Sequence, residues 1–145
     1  MIGFGEAVRR FYKNYANFYG RASRAEYWWV FLMQLLVVIA FIMIFVFAAA
    51  ASPTGATDDI PAFPMTILIL GTLFVLINLI PNYALAARRF HDLNQTGWLV
   101  LVFVLANAFI GVTWIAQMIW FAMQGTQGRN QYGPDPYGAD ADVFG

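Results

Sequence analysis

The sequence predicts an all-α membrane protein, and three observations carry that reading. Of the 145 residues, 61% are hydrophobic and 11% charged, against about 45–50% and 25% in ordinary soluble chains. Three runs, Trp28–Ala51, Met65–Ala87 and Trp98–Met123, contain no formal charge. Each is long enough for a helix to cross the hydrocarbon layer, which takes about 20 residues. The charges outside the runs are also sorted by sign. The length limits the chain to one domain, a single integral membrane unit over residues 1–145. Its parts are an interfacial helix at 2–18, three transmembrane helices at about 28–51, 65–87 and 98–123, and a polar tail at 124–145.

The first element is amphipathic. Phe4, Val8, Phe11, Tyr12, Tyr15 and Phe18 recur at steps of three and four, the helical period. Arg9, Arg10 and Lys13 add basic groups, as expected of a helix lying in the interface with cations toward anionic headgroups. Next comes Gly20-Arg21-Ala22-Ser23-Arg24-Ala25-Glu26-Tyr27-Trp28-Trp29. Gly20 suits the left-handed residue that ends a helix. Ser23 and Glu26 have capping-box spacing for the helix that follows. Tyr27, Trp28 and Trp29 mark a membrane interface, and Arg21 and Arg24 read as ligands for headgroup phosphate.

The first apolar run ends in Ala49-Ala50-Ala51, which resembles a cleavage site. Yet the run is far longer than a signal peptide's apolar core of about 7–15 residues, so it reads as an uncleaved span. Lys and Arg precede it (Arg9, Arg10, Lys13, Arg21, Arg24), whereas the following loop has Asp58 and Asp59 but no Lys or Arg. Positive charge returns at Arg88 and Arg89. By the positive-inside rule the N-terminus and the 88–92 segment are cytoplasmic and the first loop is external. The few polar residues in the runs, among them Gln34, Asn78 and Asn82, read as helix-packing groups.

The third run has two readings. One span from Trp98 to Trp120 sets a tryptophan at each interface and leaves the tail outside. Alternatively Asn107 and Gly111 break the run and return the tail to the cytoplasm. Irregular backbone at membrane depth then needs cover from other helices.

Arg88-Arg89-Phe90-His91-Asp92 holds the only histidine. Arg88 and Arg89 complement the helix dipole at the end of the second span and can snorkel to water. Neither topology nor capping requires His91-Asp92. Histidine titrates near neutrality, but sequence neighbours on a helix point about 100° apart, so adjacency alone makes no dyad. The expected partner of His91-Asp92 is the Arg21–Glu26 segment. After the third run, Gly128-Arg129-Asn130-Gln131-Tyr132-Gly133-Pro134-Asp135-Pro136 has the Gly and Pro spacing of a fixed turn, offering Asn130, Tyr132 and Asp135 as polar groups. With no cysteine there are no disulfides or thiolate sites. A single histidine and scattered acids make no metal site, no cofactor signature is present, and zero net charge gives no indication of nucleic-acid binding.

In this order, Phe4-Gly5-Glu6-Ala7, the Gly20–Trp29 segment, Arg88–Asp92 with Gly97-Trp98, and Gly128-Arg129-Asn130 through Tyr132–Pro136 resemble the bacterial domain-of-unknown-function 805 family. The likeness covers almost the whole chain, departing at Phe90, where the family commonly has leucine, and at Leu93–Thr96. The resemblance implies a small inner-membrane protein with no established activity. It also bears on topology: if the last three of these motifs form one site, the third run must be broken near Asn107–Gly111.

The candidate functional or headgroup-binding residues are therefore Arg21, Arg24, Glu26, Arg88, Arg89, His91, Asp92, Asn130, Tyr132 and Asp135, with none assigned as catalytic. The leading expectation is a non-enzymatic inner-membrane protein whose basic cytoplasmic face binds anionic lipid headgroups. A second copy or another membrane protein is the further candidate partner. An oligomeric transporter or channel subunit, using Asn78, Pro81 and Asn82, is one alternative. A lipid-modifying enzyme using His91 with Asp92 or Glu26 is the other.

Overall fold

The structure, a computed structural model, describes residues 2–51 and 62–138. Asp58 and Asp59, used above for topology, lie outside the described residues. The helices described are α1 (Phe4–Lys13), α2 (Arg24–Ala51), α3 (Ala62–Asp92), α4 (Leu99–Ile110) and α5 (Thr113–Ala122). Two compact units are distinguished: Met1–Val30 with Ile80–Gly145, and Phe31–Leu79.

Helix α1 is shorter than the periodicity suggests. Asn14 closes it, its amide and its backbone N–H both donating to the Arg10 carbonyl at 2.9 and 3.0 Å. An asparagine that satisfies the last turn in this way competes with helix continuation. Gly20 is left-handed, with φ +82°, but it stands in the connection to α2 rather than at the end of α1. Ala7 and Phe11 are buried while Phe4 and Tyr12 stay exposed. The Phe4 ring meets Trp29 edge-on, with centroids 5.8 Å apart.

Helices α2 and α3 are 28 and 31 residues long, about 42 and 46 Å at 1.5 Å per residue. Both are long and apolar enough to cross a membrane, and in their most apolar stretches only 6% and 11% of residues are buried. A core helix of a soluble protein would be covered; these carry Leu36, Ile42, Phe47, Leu68, Val75 and Ile77 on open surface, as lipid-facing helices do. In the Phe31–Leu79 unit Phe41 packs against Phe74, with ring centroids 6.0 Å apart. The Asn78 amide donates at 2.8 Å to the Phe74 carbonyl of its own helix.

The third apolar run is not one helix, as in the second of its two readings above, and among the described residues two helices, α2 and α3, are long and apolar enough to cross a membrane. The run breaks at Gly111-Val112 into α4, of 12 residues, and α5, of 10, about 18 and 15 Å long, each roughly half the hydrocarbon thickness. Gly111 is the reason. It takes φ +76°, and its N–H closes on the Asn107 carbonyl at 2.9 Å, a left-handed helix ending that favours glycine. The Thr113 hydroxyl then meets the Asn107 side chain at 3.3 Å across the break. Phe103, early in α4, lies 6.0 Å from Trp120, late in α5, so the chain doubles back as a hairpin. Its base packs on the end of α3: Phe90 is fully buried between Phe103, Trp120 and Phe121, with centroids at 5.7, 5.7 and 4.7 Å. Tyr27 closes the cluster from α2, 4.7 Å from Phe121.

The hairpin brings the tail back to where α4 began. Because the chain has no cysteine, single cysteines report on this cleanly. Lys13→Cys, Gln95→Cys and Gln131→Cys, all at exposed positions, should react with a membrane-impermeant maleimide from the same side of sealed vesicles. Labelling of position 131 from the face opposite position 95 would contradict the hairpin.

Candidate functional site

The site is built at the end of α3, where the helix turns inward the charges Arg88, Arg89 and Asp92. Asp92 is fully buried. Its Oδ1 accepts from Arg21 Nε at 3.0 Å and Nη2 at 2.8 Å, and its Oδ2 accepts from Arg89 Nη1. Residues three apart on a helix share a face, which puts Arg89 and Asp92 together. Arg21 arrives from the α1–α2 connection, held by the Ala22 N–H donating to the Arg88 carbonyl at 3.0 Å.

Both guanidinium groups also bind the returning chain. Arg21 Nη1 donates to the Gly128 carbonyl at 2.6 Å and Nη2 to that of Thr126. Arg89 Nε and Nη2 reach the Phe121 carbonyl at 3.2 and 3.0 Å, and Nη2 also reaches that of Met123. The last carbonyls of a helix have no partner within it and carry its negative end, so Arg89 caps α5. The tail answers with donors: the Thr126 N–H and hydroxyl both reach the Asp92 carbonyl at 2.9 Å. Gly125 allows this approach, since a Cβ there would run into the Asp92 carboxylate.

Arg88 pairs instead with Glu26, Nη1 to Oε1 at 3.1 Å, and both are buried. Ser23 does cap α2, its hydroxyl accepting the Glu26 N–H at 3.1 Å. Glu26 thus turns its carboxylate to Arg88 rather than completing the reciprocal half of a capping box. Arg88 Nε and Nη2 have no hydrogen-bond partner among the described residues. The snorkelling expected of Arg88 and Arg89 does not occur: they are only 4% and 0% exposed. A charge leaves water this completely only when paired and hydrogen-bonded, which Asp92, Glu26 and the α5 carbonyls provide. The Arg21 side chain is likewise 1% exposed, so it faces inward rather than toward headgroups. Arg24 remains exposed; its Nη1 reaches the Ala122 carbonyl at 3.5 Å, and its backbone N–H donates to the Tyr137 hydroxyl.

His91 and Asp92 face different partners. His91 Nδ1 lies 3.0 Å from the Gly20 carbonyl, and its ring stacks on Tyr132, with centroids 4.0 Å apart and planes 7° from parallel. Asn130 donates its amide to the His91 carbonyl and the Thr126 hydroxyl, both at 2.9 Å, and accepts the Tyr132 N–H at 2.9 Å. Asp135 folds its own turn, accepting the Gly128 N–H at 2.8 Å and the Tyr137 N–H at 2.9 Å. The Tyr137 amide above all, helped by the Gly128 amide and the Arg21 charge, holds its carboxyl below the usual value against the opposing effect of burial.

All ten candidate residues thus fall in one unit, though in different roles. Eight belong to the Arg21–Asp92–Arg89 cluster, its tail contacts or the His91–Tyr132 stack, while Arg88 and Glu26 form a separate pair. Sequence reasoning missed Thr126, Tyr137 and the carbonyls of Gly20, Phe121, Met123 and Gly128. Thr126 had a faint signal, as a hydroxyl between two glycines directly after an apolar run. Backbone acceptors have none. No group of three or more His, Cys, Asp or Glu suited to a metal exists among the described residues.

A family described as protein of unknown function (DUF805) matches residues 15–134. The inner membrane protein YhaI of Escherichia coli (strain K12) is 35% identical over 127 residues, covering 86% of this chain and 89% of its own length. The inner membrane protein YhaH of the same strain is 33% identical over 126 residues, covering 86% and 90%. No solved structure gives a significant match.

Two outcomes follow from this geometry. Asp92→Ala leaves two buried guanidinium groups without their carboxylate, and breaking such a pair costs roughly 3–5 kcal/mol. Denaturant unfolding in micelles should show that loss; a change under about 1 kcal/mol, the size of an ordinary substitution, would refute the assigned role. Asp135, with its folded pKa lowered from 3.8, contributes stability that is present above its unfolded pKa and lost as pH falls through the folded one. Protease cleavage within 128–137 should therefore increase on acidification below about pH 4. Asp135→Asn should show the acid-state cleavage at neutral pH.

Proposed function

The chain belongs to this family of proteins of unknown function (DUF805), and on that premise we propose that it is a non-enzymatic bacterial inner-membrane protein. In this reading its N-terminus, the end of α3 and its tail face the cytoplasm, where exposed basic groups hold anionic lipid headgroups. The names of the related proteins support the location, and the charge distribution supports the orientation.

The observation that carries the headgroup reading is α1. Ala7 and Phe11 are buried on one side, while Arg9, Arg10 and Lys13 are exposed on the other. Glu6 offsets part of that charge, pairing with Arg10 at 2.8 Å and Arg9 at 3.6 Å, but exposed pairs of this kind hold with under about 1 kcal/mol and yield readily to a phosphate. Arg24 and Arg129 are exposed as well. Arg21, Arg88 and Arg89 serve this function indirectly, by fastening the hairpin and tail that the exposed groups surround. An acid–base role for His91 with Asp92 finds no support, because Arg21 and Arg89 occupy the carboxylate.

Each juxtamembrane cation adds about 1 kcal/mol of attraction to an anionic leaflet. The triple variant Arg9→Gln/Arg10→Gln/Lys13→Gln should therefore retain phosphatidylglycerol about a hundredfold less well in native mass spectrometry of the protein released from mixed-lipid nanodiscs. Retention equal to that of the parent protein, or retention indifferent to lipid charge, would refute the proposal.

A further inference from the structure

A pocket of about 660 Å³ lies between the end of α3, the start of α4 and the α1–α2 connection, with Tyr132 of the tail as one wall. That is within the range of small-molecule sites, about 300–1,000 Å³. His91 reaches it with a fixed hydrogen-bonding pattern. Its Nδ1 faces the Gly20 carbonyl, and a carbonyl only accepts, so Nδ1 carries the hydrogen and Nε2 of the neutral ring is an acceptor. The Tyr132 stack fixes the plane of that ring. Gly97 keeps Nε2 open, since a Cβ there would stand 2.9 Å from it. Among the described residues neither Nε2 nor the Tyr83 and Tyr132 hydroxyls have a hydrogen-bond partner.

The rest of the lining decides what enters. No Lys, Arg, Asp or Glu lines the pocket, so an ionised headgroup would be desolvated there without a counter-charge, a heavy cost. An uncharged donor meets an acceptor and loses nothing. Val100 and Leu101 of α4 supply a hydrocarbon wall, and Trp98, 72% exposed, stands at the rim, the kind of residue that borders a lipid interface. We propose that this pocket binds the hydroxyl head of an uncharged single-chain amphiphile, such as a monoacylglycerol, the hydroxyl donating to His91 Nε2 and the chain lying along Val100 and Leu101. This goes beyond headgroup binding at α1, which selects anions through a different set of residues.

The test is photolabelling of the full-length protein, in nanodiscs of zwitterionic lipid, by a monoacylglycerol with a diazirine in its chain. Labels should map to pocket residues and be competed by unlabelled monoacylglycerol. Leu101→Trp, which fills the pocket from an exposed position, should weaken labelling about tenfold while leaving the ligand-free melting temperature unchanged. His91→Phe, which keeps an aromatic ring beside Tyr132 but removes the acceptor, should weaken it by a similar factor. The Arg9/Arg10/Lys13 variant should label normally, which separates failure of this proposal from failure of the headgroup reading. Full labelling of Leu101→Trp, or equal competition by a fatty acid or a long-chain alkylammonium, would overturn it.

Discussion

A single buried carboxylate between two arginines organises the unit formed by Met1–Val30 and Ile80–Gly145. Asp92 takes Arg21 on one oxygen and Arg89 on the other, and the arginines direct their other donors to backbone carbonyls, Arg89 at the end of α5 and Arg21 in the chain that follows it. Three sequence-distant segments meet there: the α1–α2 connection, the end of α3, and the tail. Replacing the cluster by hydrocarbon could leave as much stability, because burying ions offsets much of their attraction. It could not reproduce the geometry. A planar guanidinium directs five donors in fixed directions, and that of Arg89 meets the Phe121 carbonyl, which a helix ending at Ala122 cannot satisfy itself.

That arrangement explains how α4 and α5 exist at all. Neither is long enough to cross a membrane, and the break at Gly111 exposes backbone that lipid cannot hydrogen-bond. The hairpin is anchored at its base instead, by Phe90 packed against Phe103, Trp120 and Phe121 and by Arg89 on the last carbonyls of α5. At the tip, the Gly111 N–H on the Asn107 carbonyl and the Ile115 N–H on the Val112 carbonyl satisfy part of the break. The aromatic packing and the ionic clasp thus hold the same element from two sides.

The two long helices were legible in the sequence because period and composition are local properties; both runs appear within longer helices. Ser23 was legible as a cap for the same reason. The third run was ambiguous because apolar composition is equally consistent with a span and with two half-spans. Only Asn107 and Gly111 marked the difference, and the co-occurrence of the polar motifs weighed toward a break. The arginines misled for a physical reason. Beside an apolar run, a cation bound for water and a cation bound for a buried carbonyl look the same, because the deciding acceptor is backbone. The expected pairing of His91-Asp92 with the Arg21–Glu26 segment is found for Asp92, through Arg21, and not for His91. What could not be anticipated was its division: His91 to Gly20 and Tyr132, Asp92 to the arginines, and Glu26 to Arg88.

The most direct test of the clasp is amide hydrogen exchange at Thr126, whose N–H donates to the Asp92 carbonyl at 2.9 Å. If the tail is fastened to the end of α3, this amide exchanges as slowly as those in the last turn of α3, and Arg21→Ala releases it. Exchange at the rate of an unstructured chain in the unaltered protein would contradict the account.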